Sequence, residues 1–222
     1  MTNSLAQHTR IASFGAVMAC IGDWVVLFVL GRYYPGYSQL EHSISSLGAS
    51  NSPVAQWAEI SWLIIGLLFI WFGVEFGRQY RAEGTYAKVA SWLIILYGAG
   101  EGLGSAFFKV DSLHHSLSFI GIIHQLTSIC GVLAILLLPL VIKRLFPFRS
   151  IPGFPFFSDF VFALGGVLLG LFLCRFFVPA DHPIVRIKGL WQRLLLFTNY
   201  IYILTAIYFM WKTSRFRPVH KS

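Results

Sequence analysis

The chain has 222 residues, of which 56% are apolar, 17% aromatic and only 12% charged, and its mean hydropathy is +0.69. A soluble domain carries about 25% charged residues because its surface faces water, so the composition excludes a soluble globular domain, a disordered chain and a coiled coil. The net charge of +8 comes from basic residues beside apolar runs, where they set topology and contact anionic lipid headgroups. We therefore expect the lipid bilayer, and no nucleic acid, as a partner.

Six apolar runs follow one another along the chain, and each is long enough to cross a hydrocarbon core of about 30 Å as a helix. They cover residues 11–30, 54–76, 88–107, 119–142, 157–177 and 190–211. Proline and glycine interrupt the segments between the runs, as turns and loops require. The sequence therefore predicts an all-α integral membrane protein, a six-helix bundle that forms one membrane domain.

Lysine and arginine are divided unequally between the two sides of this predicted bundle. Eleven of the 17 basic residues lie on the side of the two termini, and six lie on the opposite side. Cytoplasmic segments carry the excess of basic residues in membrane proteins. We therefore expect both termini in the cytoplasm, the protein in the cytoplasmic membrane, and its functional face outside the cytoplasm.

The three connections on the predicted outer side hold most of the side chains that can do chemistry. The first contains His42 and Ser45, the second Asp111 and His115, and the third His182. Connections on the cytoplasmic side are mainly basic and polar. This asymmetry predicts a functional site near the outer surface.

Ionisable residues inside the predicted spans point to the same half of the membrane. Such residues are energetically costly in hydrocarbon and usually face protein or water. Because an unpaired buried charge is unfavourable, we expect Arg193 to pair with a carboxylate at similar depth, that of Glu101. The residues of this group are Asp23, Glu59, Glu101, His124 and Arg193.

Glycine spacing in the third run predicts close helix packing around Glu101. Gly98 and Gly102 share one helix face, while Gly100 and Gly104 lie nearly opposite. A helix with small residues on two faces fits between two neighbours. Glu101 would then point along the seam between them.

A serine hydrolase is one chemistry that these residues allow, since it needs a nucleophile, a base and an orienting acid. Ser45 or Ser46 supplies a nucleophile and Asp111 an acid. The base would be one of three histidines: His42, His115 or His124. The sequence contains no nucleophile-elbow motif.

A metal-dependent hydrolase is the other chemistry, with Asp111, His115 and His124 around one divalent ion and an open position. His115 and His124 are nine residues apart, which is about 13.5 Å along a continuous helix and too far for shared coordination. A common metal site therefore requires a non-helical connection around His115. Ser118 is a suitable N-cap for a helix that begins at Phe119.

Three short motifs, each at an outer end of a predicted span, carry a resemblance to a known family. They are Ile44-Ser45-Ser46-Leu47-Gly48, which resembles Ile-Ser-x-Leu-Gly; Phe108-Lys109-Val110-Asp111, which resembles Phe-Pro-x-Asp; and Gly189-Leu190-Trp191-Gln192-Arg193, which resembles Gly-Leu-x-Glu/Gln-Arg. Together they resemble the prokaryotic multi-span membrane proteins grouped as domain of unknown function 998. Lys109 stands where that family usually has proline. The resemblance implies a membrane fold and brings no established activity.

The leading hypothesis is a membrane-embedded hydrolase or transferase that acts on a lipid or lipid-linked substrate. Arg193 would bind an anionic headgroup, with Glu101, Gln192 and His182 as further substrate-binding residues. Two other hypotheses stay open: a non-catalytic protein with a partner-binding or envelope-stress role, and a transporter or sensor of a small ligand. Transport would require a polar path that continues past Asp23 to the cytoplasmic side.

Overall fold

The computed structural model describes residues 2–109 and 118–214. The structure is 82% helical, and neither of the two described ranges contains a strand. The predicted all-α class is therefore confirmed. The α-helices, in chain order, are α1 Thr2–Tyr33, α2 Ala55–Gln79, α3 Thr85–Tyr97, α4 Ser105–Phe107, α5 Phe119–Ile142, α6 Phe154–Leu173, α7 Pro183–Arg186 and α8 Lys188–Ser214.

Five helical segments are long and apolar enough to cross a membrane. They are Gln7–Tyr33, Ala55–Gln79, Phe119–Ile142, Phe154–Phe176 and Lys188–Lys212. Their outer faces expose large apolar side chains, among them Phe14, Ile64, Leu126 and Phe160. An apolar exterior on long helices is what a lipid environment requires, and the chain is a membrane protein with several such helices.

The third predicted run is helical but composite. Helix α3 has only 13 residues, a π-helical segment of seven residues, Gly98–Gly104, follows it directly, and α4 continues to Phe107. Helical backbone therefore extends over 85–107 with a change of hydrogen-bond pattern inside it. A sixth membrane crossing by this composite helix stays a prediction.

The predicted glycine packing is confirmed. Gly98 and Gly102 lie against Gly66 of α2, while Gly100 lies against the backbone of Gly131 in α5. A Cβ atom at Gly102 would collide with Gly66 backbone, so these two segments approach as closely as only glycine allows. The π-helical segment is thus wedged between α2 and α5.

Connections lie at two opposite ends of the bundle. At one end, Lys109 after α4 forms a 2.7 Å ion pair with Glu59 near the start of α2. At the other end, the Phe146 N–H donates to Glu83 over 3.1 Å. The composite helix therefore connects the end that holds Glu83 to the end that holds Lys109. The described residues among the predicted site residues lie towards the latter end, called here the outer end.

Candidate functional site

Arg193, in the first turns of α8, attaches the connection that follows α1 to the bundle. Its guanidinium donates to Gln39 Oε1 over 2.7 Å, to the Tyr37 hydroxyl over 2.5 Å and to the carbonyl oxygens of His42 and Gly189 over 2.9 Å each. The side chain is only 5% exposed. All four acceptors are neutral oxygens, so this buried cation is stabilised by dipoles.

The tyrosine in this cluster is kept neutral by its surroundings. Burial raises the pKa of the Tyr37 hydroxyl, and Arg193 opposes that rise without cancelling it. A protonated hydroxyl accepts from Arg193 while it donates to the Ser43 carbonyl over 3.1 Å. Tyr37 thereby extends the Arg193 cluster towards the segment Ile44–Gly48.

The segment Ile44–Gly48 is a 3₁₀ turn, and it contacts the start of α8. The Ile44 N–H donates to Gln192 Oε1 over 2.8 Å, and Leu47 is fully buried. A Cβ atom at Gly48 would collide with the Trp62 ring. Two of the three motifs noted in the sequence therefore form one structural unit at the outer end.

The predicted Arg193–Glu101 ion pair is wrong. Glu101 lies in the π-helical segment and accepts a hydrogen bond from the Ser128 hydroxyl of α5, while Arg193 binds the neutral oxygens described above. No ion pair that the structure describes includes either residue. The Arg193 side chain extends to the connection after α1, and neutral oxygens of Tyr37, Gln39 and His42 there replace the expected carboxylate.

Glu101 instead shares a small cavity with Asp23 of α1. This inner cavity has a volume of about 70 Å³. The Tyr200 hydroxyl donates to Asp23 Oδ2 over 2.8 Å, and the Tyr97 hydroxyl donates to Tyr200 over 2.8 Å. Further lining residues include Ser45, Trp62, Phe69, Ser128, Gln192 and Asn199.

A larger cavity of about 400 Å³ adjoins the inner one. Its apolar lining comes mainly from α5 and α6 and includes Ile129, Leu133, Leu169, Phe172 and Leu173. Its polar lining includes Ser43, Ser45, His124, Gln125, Arg175 and Gln192. Both cavities are lined by Ser45, Ser128, Val132 and Gln192. We call this second space the outer cavity.

The outer cavity opens through the side of the bundle. Ile129, Leu133 and Phe176 line it and are nevertheless 49%, 44% and 54% exposed. Arg175 is half-buried in its wall, with the guanidinium carbon 3.9 Å from the Phe172 ring centroid. None of the ion pairs within the described ranges includes Arg175.

His124 is held in one orientation at the wall of the outer cavity. Its Nδ1 lies 2.8 Å from the Phe108 carbonyl oxygen, and only 6% of the residue is exposed. Because a carbonyl can only accept, Nδ1 carries a proton, and in the neutral imidazole Nε2 then has the free lone pair. The remaining motif, which begins at Phe108, therefore positions His124 through the Phe108 carbonyl.

Three other predicted site residues have local partners. His42 is exposed, its Nδ1 accepts from the Ser38 N–H over 3.0 Å, and its ring stacks on Tyr37. His182 is exposed and caps α7 by accepting from the Ile184 N–H over 3.3 Å. Ser45 lines both cavities, and its hydroxyl is 3.1 Å from that of Ser43. Catalytic or binding roles for these residues stay predictions.

Asp111 and His115, predicted as acid, base or metal ligands, lie outside the described residues. Within the described ranges, no group of three or more His, Cys, Asp or Glu side chains is arranged to hold a metal ion. The predicted start of α5 is confirmed, because the Ser118 side chain accepts from the Gly121 N–H and the helix begins at Phe119. The divalent metal and its ligands stay predictions.

The described side chains that precede Asp23 on α1 are largely apolar where they are buried near it. Ala16, Ala19 and Cys20 are buried and apolar, as are Phe72 and Phe76 on α2. The polar path past Asp23 that transport would require stays a prediction.

Sequence reasoning missed two features of this site. From the sequence, Arg175 is included only in the count of six basic residues opposite the termini, although its position between Phe172 and Phe176 on one apolar helix face is a signal for a cation at an apolar wall. Asp23 is among the costly ionisable residues, and the hydrogen-bond partner of Asp23 is Tyr200, 177 residues later. No local pattern links those two positions.

A family model described as "Protein of unknown function (DUF998)" matches residues 17–208, which includes both cavities and all three motifs. No solved structure matches the chain. The chain belongs to this family.

Proposed function

We propose that this member of the DUF998 family binds one lipid-like amphiphile in the outer cavity, with the apolar chain against α5 and α6 and an anionic group near Arg175. The observation that carries the proposal is the composition of the cavity lining: seven apolar side chains together with a few polar ones, among them Arg175, His124, Gln125 and Gln192. Ligand sites of about 300–1,000 Å³ typically combine apolar walls with a few polar groups. The volume of 400 Å³ lies in that range.

The lateral opening supports a ligand that enters from the bilayer. Leu133 and Ile129 are about half exposed on the lipid-facing side of the bundle while they also line the cavity. A water-soluble ligand would gain nothing from such an opening. Arg175 would meet the phosphate of an outer-leaflet lipid as a charge-assisted hydrogen-bond donor.

The test is binding of lysophosphatidylglycerol, which has one acyl chain and one anionic phosphate, to purified protein in detergent. We expect saturable binding in the wild type and at least tenfold weaker binding in Leu133→Trp, which places a larger side chain in the cavity; tenfold corresponds to about 1.4 kcal/mol. Leu137→Trp is the matched control, because Leu137 is similarly exposed on α5 and lines neither cavity. Equal binding by the two variants would contradict the proposal.

A second candidate function is hydrolysis or group transfer on the bound lipid, and the orientation of His124 favours it. A histidine whose Nδ1–H is fixed by a carbonyl has an Nε2 ready to accept a proton. In this form of the proposal, His124 removes a proton from the water or hydroxyl group that attacks an ester of the lipid; the ester bond breaks, and His124 returns the proton to the leaving alcohol. Asp111 and His115 would complete the site.

Phospholipid turnover in proteoliposomes, followed by mass spectrometry, tests this second candidate. His124→Ala and Asp111→Ala should lower the rate at least a hundredfold, in the range that general acid–base catalysis contributes. His182→Ala is the control, since His182 caps α7 and lines neither cavity. Unchanged turnover in both of the first two variants would end the enzymatic proposal and leave the binding proposal in place.

A further inference from the structure

The inner cavity holds two carboxyl side chains without a basic one. Asp23 and Glu101 both line it, and the described residues around it include no lysine, arginine or histidine. Two carboxyl groups in one small space inside a membrane helix bundle are energetically costly unless something offsets their charge. The cavity therefore favours a positively charged ligand.

Asp23 has an acceptor that no described residue uses. Its Oδ2 accepts from Tyr200, and the Trp62 side chain also interacts with the carboxyl group; Oδ1 is buried and has no partner at hydrogen-bond geometry among the described residues. The residue is 6% exposed and lines the cavity beside Trp62. Buried polar atoms without a partner are rare in folded proteins, so Oδ1 indicates a missing donor inside the cavity.

The walls distinguish an organic ammonium group from a metal ion. Metal ions such as Ca²⁺ and Mg²⁺ require six or more oxygen ligands, and most of this wall is apolar. Aromatic rings attract ammonium groups by cation–π interaction, and four aromatic side chains line the cavity: Trp62, Phe69, Tyr97 and Tyr200. Carboxylates together with aromatic rings therefore point to an amine.

The size and position of the cavity point to an amine attached to a larger molecule. On this measure about 10–15 Å³ holds one water molecule, so 70 Å³ accommodates the ammonium end of a ligand and not a whole lipid. The inner cavity also shares Ser45, Ser128 and Gln192 with the outer cavity. A ligand that extends through both can place its amine next to the carboxyl groups and its chain against α5 and α6.

We propose that the inner cavity between Asp23 and Glu101 binds the primary ammonium group of the amphiphile that occupies the outer cavity. This inference rests on the proposed binding function and specifies its ligand as a zwitterionic aminophospholipid, with the amine at the two carboxyl groups and the phosphate near Arg175. A lipid with the same phosphate and chain but no amine binds only through the outer cavity.

The test compares lysophosphatidylethanolamine with lysophosphatidylglycerol of the same acyl chain, since the two differ in the presence of the amine. Wild-type protein should bind the ethanolamine lipid at least tenfold more tightly. Asp23→Asn and Glu101→Gln, which keep side-chain size, should each remove most of that preference and leave lysophosphatidylglycerol binding unchanged. Unchanged lysophosphatidylglycerol binding also shows that each variant is folded.

Glu75→Gln is the matched control. Glu75 is a buried carboxylate, 3% exposed, that pairs with Arg78 and lines neither cavity, so the preference should persist in this variant. Equal affinities for the two lipids in the wild type, or a preference that persists in both Asp23→Asn and Glu101→Gln, would overturn the inference while the binding proposal stands. Absence of binding of either lipid by the wild type would overturn both.

Discussion

Arg193 shows how a guanidinium can be buried at the edge of a membrane bundle without a carboxylate. Its planar fork donates in several fixed directions at once, and the four acceptors around it, two carbonyls, an amide oxygen and a hydroxyl, each occupy one of those directions. Hydrogen bonds to a charged group contribute about 1.5–3 kcal/mol each. The Arg193 cluster therefore fixes the connection 34–43 on α8.

Replacement of Arg193 by lysine tests whether the planar guanidinium, rather than the positive charge alone, stabilises the contact between the connection after α1 and α8. Arg193→Lys keeps the positive charge but cannot reach four acceptors in those directions, so we expect a loss of about 2 kcal/mol in the free energy of unfolding. For a chain of this size that lowers the melting temperature by roughly 4–8 °C. Thermal unfolding of the purified protein in detergent measures the change.

Arg186→Lys is the control for this substitution, because Arg186 is exposed near the same end of the bundle. It should melt within about a degree of the wild type, since exposed charges contribute little. Equal melting temperatures for Arg193→Lys and the wild type would show that the charge alone anchors the connection.

The partner of Arg193 also shows what sequence can predict at this scale. The depth of Arg193 within the membrane follows from its distance to the start of the apolar run, and its burial follows from the cost of charge in hydrocarbon. The acceptors are the backbone of His42 and Gly189 and two side chains from the connection after α1. Backbone carbonyls have no sequence signature, so the sequence suggests a carboxylate such as that of Glu101, or an anionic headgroup, as the partner of Arg193.

The π-helical segment Gly98–Gly104 determines how closely the central elements pack. Each of its glycines contacts a neighbour that leaves no space for a side chain: Gly98 and Gly102 contact α2, and Gly100 and Gly104 contact α5. Glu101 lies among them and reaches Ser128. π-Helical turns occur frequently at functional sites, and here the segment contributes a carboxyl group to the inner cavity.

A single methyl group should disturb this packing. In Gly102→Ala, the new Cβ meets the Gly66 backbone, which cannot move aside as a flexible side chain could. Overpacking of this kind costs about 1–3 kcal/mol, measured as a lower melting temperature. The preference for the ethanolamine lipid should weaken as well, because Glu101 is adjacent.

Gly170→Ala provides the comparison, since a Cβ atom at Gly170 of α6 meets nothing within 4 Å. Alanine is favoured over glycine in helices by roughly 0.5–1 kcal/mol, so this variant should be as stable as the wild type or slightly more so. If both alanine variants unfold at the wild-type temperature, the close contact between Gly102 and α2 does not contribute to stability.

Helix packing at this scale was predictable and helix type was not. Four-residue spacing of small residues is a local pattern, and it correctly assigned Gly98 and Gly102 to one neighbour and Gly100 to another. A π-helix differs from an α-helix by one residue per hydrogen-bonded ring, and the choice between them depends on contacts with α2 and α5. Those contacts join residues far apart in the chain, such as Glu101 and Ser128.

At the scale of the whole molecule, both cavities lie towards one end of the bundle. The outer end has the Arg193 cluster, the Lys109–Glu59 ion pair and His124, whereas the opposite end is closed by packed aromatic rings such as Tyr80 and Phe148. The count of lysine and arginine residues and the order of the predicted spans were enough to assign most of the reactive polar residues to one side of the bundle. It could not combine Asp23, Glu101 and Tyr200 into one cavity, because α1, the π-helical segment and α8 are distant in sequence.

The last prediction concerns how this molecule lies in the membrane, and it combines the charge distribution with the two ends of the fold. Eleven of 17 basic residues are on the side of the termini, so this side should face the cytoplasm. In a background without Cys20, Cys130 and Cys174, Glu41→Cys should react with a membrane-impermeant maleimide in intact cells. Ala82→Cys, exposed at the opposite end, should react only after permeabilisation.

Lys109→Cys extends the same experiment to the number of crossings. The composite helix 85–107 lies between Ala82 and Lys109, and Lys109 pairs with Glu59 at the outer end. If this helix crosses the membrane, Lys109→Cys reacts in intact cells together with Glu41→Cys. Reaction of Lys109→Cys only after permeabilisation, with Ala82→Cys, would reduce the count to five crossings. If Ala82→Cys reacts in intact cells while Glu41→Cys and Lys109→Cys react only after permeabilisation, the orientation is reversed. Both cavities would then lie towards the cytoplasmic leaflet.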